Sequence, residues 1–339
     1  MHLFVSAGEP SGDLHGANLV RAIHDRAPGL EVRGFGGPHM QDAGVRLHYP
    51  LTDLAVMWLG RALLNIGTFA TVARQAEVHF RSKKPAAVVL IDYPGFHWAL
   101  AKRAHRAGVP VYYFVPPQLW AWAGWRVEKM RKWVHTVLTA LPFEDEWYRD
   151  RGVRTHYIGH PYFDELAEQT PDREFVAAQR ATGGPLVALL PGSRNQEVTG
   201  NFPLMLATAA KVREAVPGVR FLVAAYKDKQ AAACRAMLAG SGLPAEVFVK
   251  RTPEIITAAD ACVAVSGSVG LELMTRETPT VVVYKLDPFA MWVGKQFRVC
   301  KYISLVNLLA DDEIYPEFLT SRDESAGMAA HVVRWLRDP

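Results

Sequence analysis

Short runs of β-branched and apolar residues recur along the chain, each followed by a segment whose apolar positions repeat at helical spacing, and this alternation restricts the fold most. The first series covers residues 3–5, 31–35, 87–91, 111–114, 136–139 and 155–158; the second covers 186–190, 221–225, 246–249, 261–265 and 280–284. Strands separated by helices are joined by crossovers rather than hairpins, which makes the sheets parallel with helices on both faces. Each series opens on a strand that runs into a glycine turn, AGEPSGD at 7–13 and PGSR at 191–194. The expectation is an α/β protein of two Rossmann-like domains, 1–162 and 163–320, with a closing helix over 321–339. Gly159, Pro161, Pro171, Gly183, Gly184 and Pro185 punctuate the junction. Open α/β sheets take ligands at the carboxyl ends of their strands, so a cleft between the two domains is the expected site.

Composition removes several classes. With 339 residues, half of them hydrophobic, the chain can build two ordinary cores. Its three cysteines, Cys234, Cys262 and Cys300, form no C-x-x-C pair, so neither a disulfide framework nor a zinc knuckle is expected, and a reducing cytoplasm fits. No signal peptide is expected ahead of the first strand, and no apolar run approaches the roughly 20 residues that span a bilayer. Charge is uneven: the first 160 residues hold 19 Lys and Arg against 13 Asp and Glu, and the remainder 19 against 21. A basic first half suits an anionic partner, whether a phosphorylated substrate, a membrane surface or nucleic acid, with a solvated basic face as the competing reading.

The first glycine turn contains Gly8, Glu9, Ser11, Gly12 and Asp13. Small residues permit a sharp turn and close approach of a ligand, and Ser11 or Asp13 can cap the following helix. Two carboxylates there would repel a pyrophosphate, so this end of the chain is expected to handle hydroxyls or protons. Asp92, directly after the apolar strand 87–91, is the expected general base, although Asp92-Tyr93-Pro94-Gly95 is also a good turn sequence.

The second half supplies phosphate chemistry. Ser193 and Arg194, after the strand 186–190, offer a guanidinium and backbone amides to a diphosphate. Gly267 and Ser268, after the strand 261–265, open a second strand–turn–helix passage whose N-terminus can hold phosphate. Glu272 one turn later can accept from ribose hydroxyls. Twelve histidines show no H-E-x-x-H spacing, and neither a metal site nor a cofactor is expected.

Residues 51–70, LTDLAVMWLGRALLNIGTFA, read as a helix apolar on nearly all sides, with Met57, Trp58, Leu59 and Leu63 as its membrane or acyl contacts. A buried core helix or a dimer contact is the competing reading. The segment 120–132 interleaves three tryptophans with Arg126, Lys129, Arg131 and Lys132, a pattern that can stack bases. Nucleic acid is not the expected partner, because no nucleic-acid module accompanies that segment.

Taken in order, AGEPSGDLHG (7–16), GFGGPHMQDAG (34–44), YYFVPPQLWAWAGW (112–125), LPFE (141–144), IGHP (158–161), LPGSR (190–194), SGSVGLE (266–272) and SLVNLLADDEIYPEFL (304–319) resemble the lipid-A-disaccharide synthase family over nearly the whole chain. AGEPSGD and NLLADDEIYPEFL are the most specific of these motifs. The resemblance implies a GT-B fold and an inverting transfer, without a metal ion, at the cytoplasmic face of the inner membrane. UDP-2,3-diacylglucosamine would be joined to 2,3-diacylglucosamine 1-phosphate in a β-1,6 linkage, with UDP released. It also implies a peripheral membrane enzyme, with a homodimer as one expected assembly, in which Asn307 faces the nucleotide sugar and Asp92, Glu9 or Asp13 serves the acceptor hydroxyl. A UDP-GlcNAc 2-epimerase or a peptidoglycan-type transferase on the same fold leaves AGEPSGD unexplained. A non-catalytic sugar-nucleotide or lipid binder leaves three carboxylates without a task.

Overall fold

The computed structural model of the chain describes residues 1–52, 66–297 and 300–338, which form two compact units, Met1–Pro161 and Tyr162–Pro339. The apolar segment that carries Met57, Trp58, Leu59 and Leu63 lies outside the described residues.

The first unit holds one parallel sheet of β1 (His2–Ala7), β2 (Glu31–Gly36), β3 (Arg46–Pro50), β4 (Ala87–Ile91), β5 (Val111–Phe114), β6 (Thr136–Thr139) and β7 (Thr155–Tyr157), ordered β3-β2-β1-β4-β5-β6-β7. All five residues of β4 are buried, as a central strand covered on both faces requires. Apolar clusters line the two faces, Phe4, Phe35, Phe80 and Leu100 on one and Val5, Val20, Met40 and Ile91 on the other. Gly34 pairs with Val5 across β1 and β2, and a Cβ built there would lie 1.7 Å from the Val5 carbonyl oxygen.

The second unit repeats the plan with β8 (Leu186–Leu190), β9 (Arg220–Ala225), β10 (Ala245–Val249), β11 (Ala261–Val265), β12 (Thr280–Lys285) and β13 (Glu317–Thr320), all parallel in the order β10-β9-β8-β11-β12-β13. The last helix, Ser325–Arg337, packs Met328, Ala329 and Val332 into the cluster that also holds Phe202, Met205 and Ala209 of the helix Asn195–Ala215.

Two strands depart from the sequence expectation. β3 is an edge strand of alternating exposed and half-buried residues, so it has no apolar run to betray it. β13 is four residues long and lies at the end of the motif 304–319, beyond the last strand expected from the sequence. In each sheet the chain reverses direction of growth next to its first strand, between β1 and β4 and between β8 and β11. Such a switch point opens a crevice at the carboxyl ends of the strands, and these two places are where each unit can take a ligand.

Candidate active site

At the first switch point β1 ends in Gly8-Glu9 and β4 ends in Asp92-Tyr93. Asp92 (φ 46°) and Tyr93 (φ 49°) both adopt the left-handed conformation. Each such non-glycine residue costs on the order of 1–3 kcal/mol and persists only where its surroundings impose it. Here the imposing groups are visible. The Asp92 carbonyl oxygen accepts from His97 Nδ1 at 2.7 Å and from the Tyr113 hydroxyl at 2.7 Å. A carbonyl only accepts, so Nδ1 carries the imidazole proton, and Nε2 accepts from Ser6 Oγ at 2.9 Å. His97 is wholly buried, and burial lowers its pKa to about 4, so near neutrality it is uncharged in this one tautomer.

Gly8 does not leave room for a ligand, as the turn sequence suggested. A Cβ at this position would lie 2.2 Å from Tyr93 Cδ1, so the Tyr93 ring occupies the space that the missing side chain frees. Glu9 is the N-cap of the helix Pro10–Arg26 without a side-chain capping bond. Burial and the Glu9 charge together raise the Tyr93 hydroxyl, which places the Glu9 carboxylate within electrostatic reach of Tyr93. Ser11 is exposed in the first turn of that helix and does not cap it, because the helix begins at Pro10. At Gly12 a Cβ would meet only ordinary contacts of 3.6 Å, so nothing in the structure requires glycine there.

Asp13 departs from its expected role. Its residue is 1 % exposed, and its carboxylate accepts from the backbone amides of Gly37 (2.6 Å), His39 (3.0 Å) and Met40 (3.2 Å), the start of the short helix Pro38–Asp42. It caps a neighbouring element across β1 and β2 rather than pointing at a ligand.

Glu144, also at the carboxyl edge of this sheet, had no assigned role in the sequence. It is buried, accepts from Trp120 Nε1 at 3.2 Å and from the Ala140 amide at 3.3 Å, and burial raises its pKa to about 8. At neutral pH it is a protonated carboxylic acid.

At the second switch point the turn after β8 is already filled. Glu197 Oε2 accepts from the backbone N–H of Ser193 (3.0 Å) and Arg194 (3.1 Å), and Oε1 accepts from Arg194 Nη1 (3.2 Å). Gly192, at φ 112°, lies against the same carboxylate, where a Cβ would come within 2.5 Å of Oε2. The backbone donors expected to hold a diphosphate are therefore engaged by the chain's own glutamate in a capping arrangement. The exposed groups here are the Ser193 and Arg194 side chains and, after β11, Gly267 and Ser268; a Cβ at Gly267 would meet nothing within 4 Å.

Glu272 and Asn307 turn inward. Glu272 is 1 % exposed and accepts from the Tyr162 hydroxyl (3.0 Å) and Arg276 Nε (3.2 Å), so it anchors the start of its helix from inside instead of presenting acceptors to a ribose. Asn307 is wholly buried. Its amide donates to the Tyr315 carbonyl (2.7 Å) and to Glu317 Oε1 (2.8 Å), and its oxygen accepts from the Tyr315 amide (2.8 Å). Both of its amide N–H groups and one lone pair of its oxygen are used to tie residues 304–317 into one knot, so it does not face outward.

His79, His97 and His160 all belong to the first unit, and burial lowers each to about 4 from the ordinary 6.5. Between those values the unfolded chain takes up protons that the folded unit resists. Stability is fully present above about pH 6.5 and is lost as the pH falls towards 4. Thermal melts at pH 7 and pH 5 are expected to show the midpoint falling, and His97→Gln should flatten that dependence; an unchanged midpoint would mean these imidazoles are not held neutral.

Among the described residues no three His, Cys, Asp or Glu side chains converge as metal donors, and no helix is long and apolar enough to cross a membrane.

Comparison with known proteins matches residues 3–338 to the lipid-A-disaccharide synthetase family. The lipid-A-disaccharide synthase of Alkalilimnicola ehrlichii is 37% identical, covering 100% of this chain and 90% of that protein; the one from Geobacter metallireducens is 34% identical, covering 99% and 88%. Among solved structures, UDP-GlcNAc 2-epimerase from Neisseria meningitidis bound to UDP-GlcNAc superposes with a TM-score of 0.62 at 9% identity over 100% of both chains. Acinetobacter baumannii MurG gives 0.56 at 13% identity, covering 99% of this chain and 92% of that one. At such identities the likeness is one of fold, and the fold is that of GT-B glycosyltransferases.

Proposed function

The chain belongs to the lipid-A-disaccharide synthase family and is an enzyme of lipid A disaccharide synthesis that transfers a hexosyl unit; from that premise we propose how its two units divide the reaction. The first unit serves the acceptor, 2,3-diacylglucosamine 1-phosphate, and the second unit the donor, UDP-2,3-diacylglucosamine. Asp92 removes the proton from the acceptor 6-hydroxyl as its oxygen attacks the anomeric carbon from the face opposite the departing UDP, which inverts that carbon and forms the β-1,6 linkage. The observation that carries this reading is the left-handed Asp92 at the carboxyl end of β4, held at a switch point by His97 and Tyr113 through its backbone carbonyl.

Glu9 positions the acceptor beside Tyr93. Arg194 offsets charge growing on the leaving diphosphate, with the hydroxyls of Ser193 and Ser268 and the open backbone at Gly267 beside it. Asp13, Glu272 and Asn307 serve the framework, through their bonds to residues 37–40, to Tyr162 and Arg276, and to Tyr315 and Glu317. The basic first half and the lipid-linked substrates support peripheral association with the cytoplasmic face of the inner membrane.

Purified protein supplied with the donor is expected to release UDP only when the diacylated acceptor is present, followed by nucleotide-coupled absorbance. UDP release without acceptor would identify a hydrolase, and nucleotide binding without any release would identify a binding protein.

A further inference from the structure

Beyond the carboxyl end of β5, which lies beside β4, the chain forms the short helix Leu119–Trp122, a 3-10 turn Gly124–Arg126 and the helix Val127–Trp133. Two tryptophans on this segment are exposed, Trp122 by 51 % and Trp125 by 69 %. The Arg126 guanidinium stacks on both rings, 4.9 Å from the Trp122 centroid and 5.0 Å from that of Trp125. Lys129 lies 5.8 Å from Trp125 and 5.5 Å from Trp98, a buried residue whose indole N–H has no hydrogen-bond partner. Arg126 Nε is likewise buried without a partner, and among the described residues no carboxylate pairs with Arg126 or Lys129. The nearest acid in sequence, Glu128, pairs with Arg131 at 2.8 Å.

An arginine fixed by stacking keeps the edge of its planar fork for hydrogen bonding and loses little side-chain freedom when an anion arrives. A planar fork fits a phosphate bidentately, and an adjacent ammonium adds charge without demanding geometry. The indoles contribute an amphipathic rim suited to a lipid rather than to a free ion. We propose that Arg126 and Lys129 form the receptor for a phosphate monoester carried on a lipid, namely the anomeric phosphate of the acceptor. The proposal rests on the acceptor assignment made above and adds the residues that read its phosphate.

The test is a binding titration of the full chain in detergent micelles, with Trp122 and Trp125 as intrinsic fluorescent reporters. Its probes are 2,3-diacylglucosamine 1-phosphate, the same lipid without phosphate, and vesicles of phosphatidylglycerol. Wild type should bind the phosphorylated lipid more tightly than the dephosphorylated one. Arg126→Gln should weaken the former about 10- to 100-fold, the range of a lost charge-assisted pair, and leave the latter unchanged. Arg126→Lys should recover part of the loss. Equal weakening for both lipids would overturn the proposal in favour of a structural role. It is also overturned if the variant keeps its preference for the phosphorylated lipid but no longer binds vesicles, since the cations then serve bilayer headgroups. Because the readout is binding, a failure of the proposed transfer reaction shows separately, as absent UDP release with this preference intact.

Discussion

Asp92→Asn is expected to lower turnover by about 10²- to 10⁴-fold, the usual contribution of a positioned general base, with UDP affinity unchanged. Asparagine is nearly isosteric and tolerates the left-handed conformation as readily as aspartate. The bonds from His97 and Tyr113 go to the backbone carbonyl, so the substitution leaves them in place. What disappears is one acceptor of a proton. Steady-state kinetics at saturating donor, with UDP binding measured by calorimetry, separates the outcomes. Near-normal turnover would pass the role to Glu9, since Asp13 is already engaged by three backbone amides.

The second large effect concerns folding. Gly34→Ala places a methyl group 1.7 Å from the Val5 carbonyl oxygen, a backbone atom in the strand next door that cannot rotate away. β1 and β2 must separate, and both are interior strands of the first sheet, with a neighbour on each side. A loss above about 4 kcal/mol is expected, enough to leave the first unit unfolded at ordinary stabilities. Circular dichroism and limited proteolysis would read it. Gly12→Ala is the control, because its methyl group would meet only 3.6 Å contacts and alanine favours a helix by up to about 1 kcal/mol. If both variants fold alike, the close approach at Gly34 is not a constraint.

Apolar runs and glycine turns made most of the architecture legible, because a strand covered on both faces must be apolar throughout. β3 escaped because a half-exposed edge imposes no such demand. At the sites, residue type told which chemistry was available but not which atoms were already engaged. Asp13 and Asn307 stand in the most specific motifs, yet their polar atoms close backbone turns, and that is visible only once Gly37 and Tyr315 are brought to them. Asp92 could be read from its place after an apolar strand. Its supports could not, since Ser6, His97 and Tyr113 come from three separate segments and no local pattern links them. Gly8 looked like an entrance for a sugar and proved to be the seat of the Tyr93 ring.

The strand order also bears on the sequence of events by which the chain reaches this state. β1 meets β4 by pairing Leu3 with Ala87, and β8 meets β11 by pairing Val187 with Ala261. The other neighbours join nearer segments, such as His2 with Glu31 and Val88 with Val111. Each switch point is thus the junction that closes the longest loop in its sheet, and contacts between distant residues are the slow ones to form. The crevices proposed here for acceptor and nucleotide lie at the seams where each unit is stitched together, so a nascent chain can hold several finished strand pairs before it has anywhere to bind a sugar.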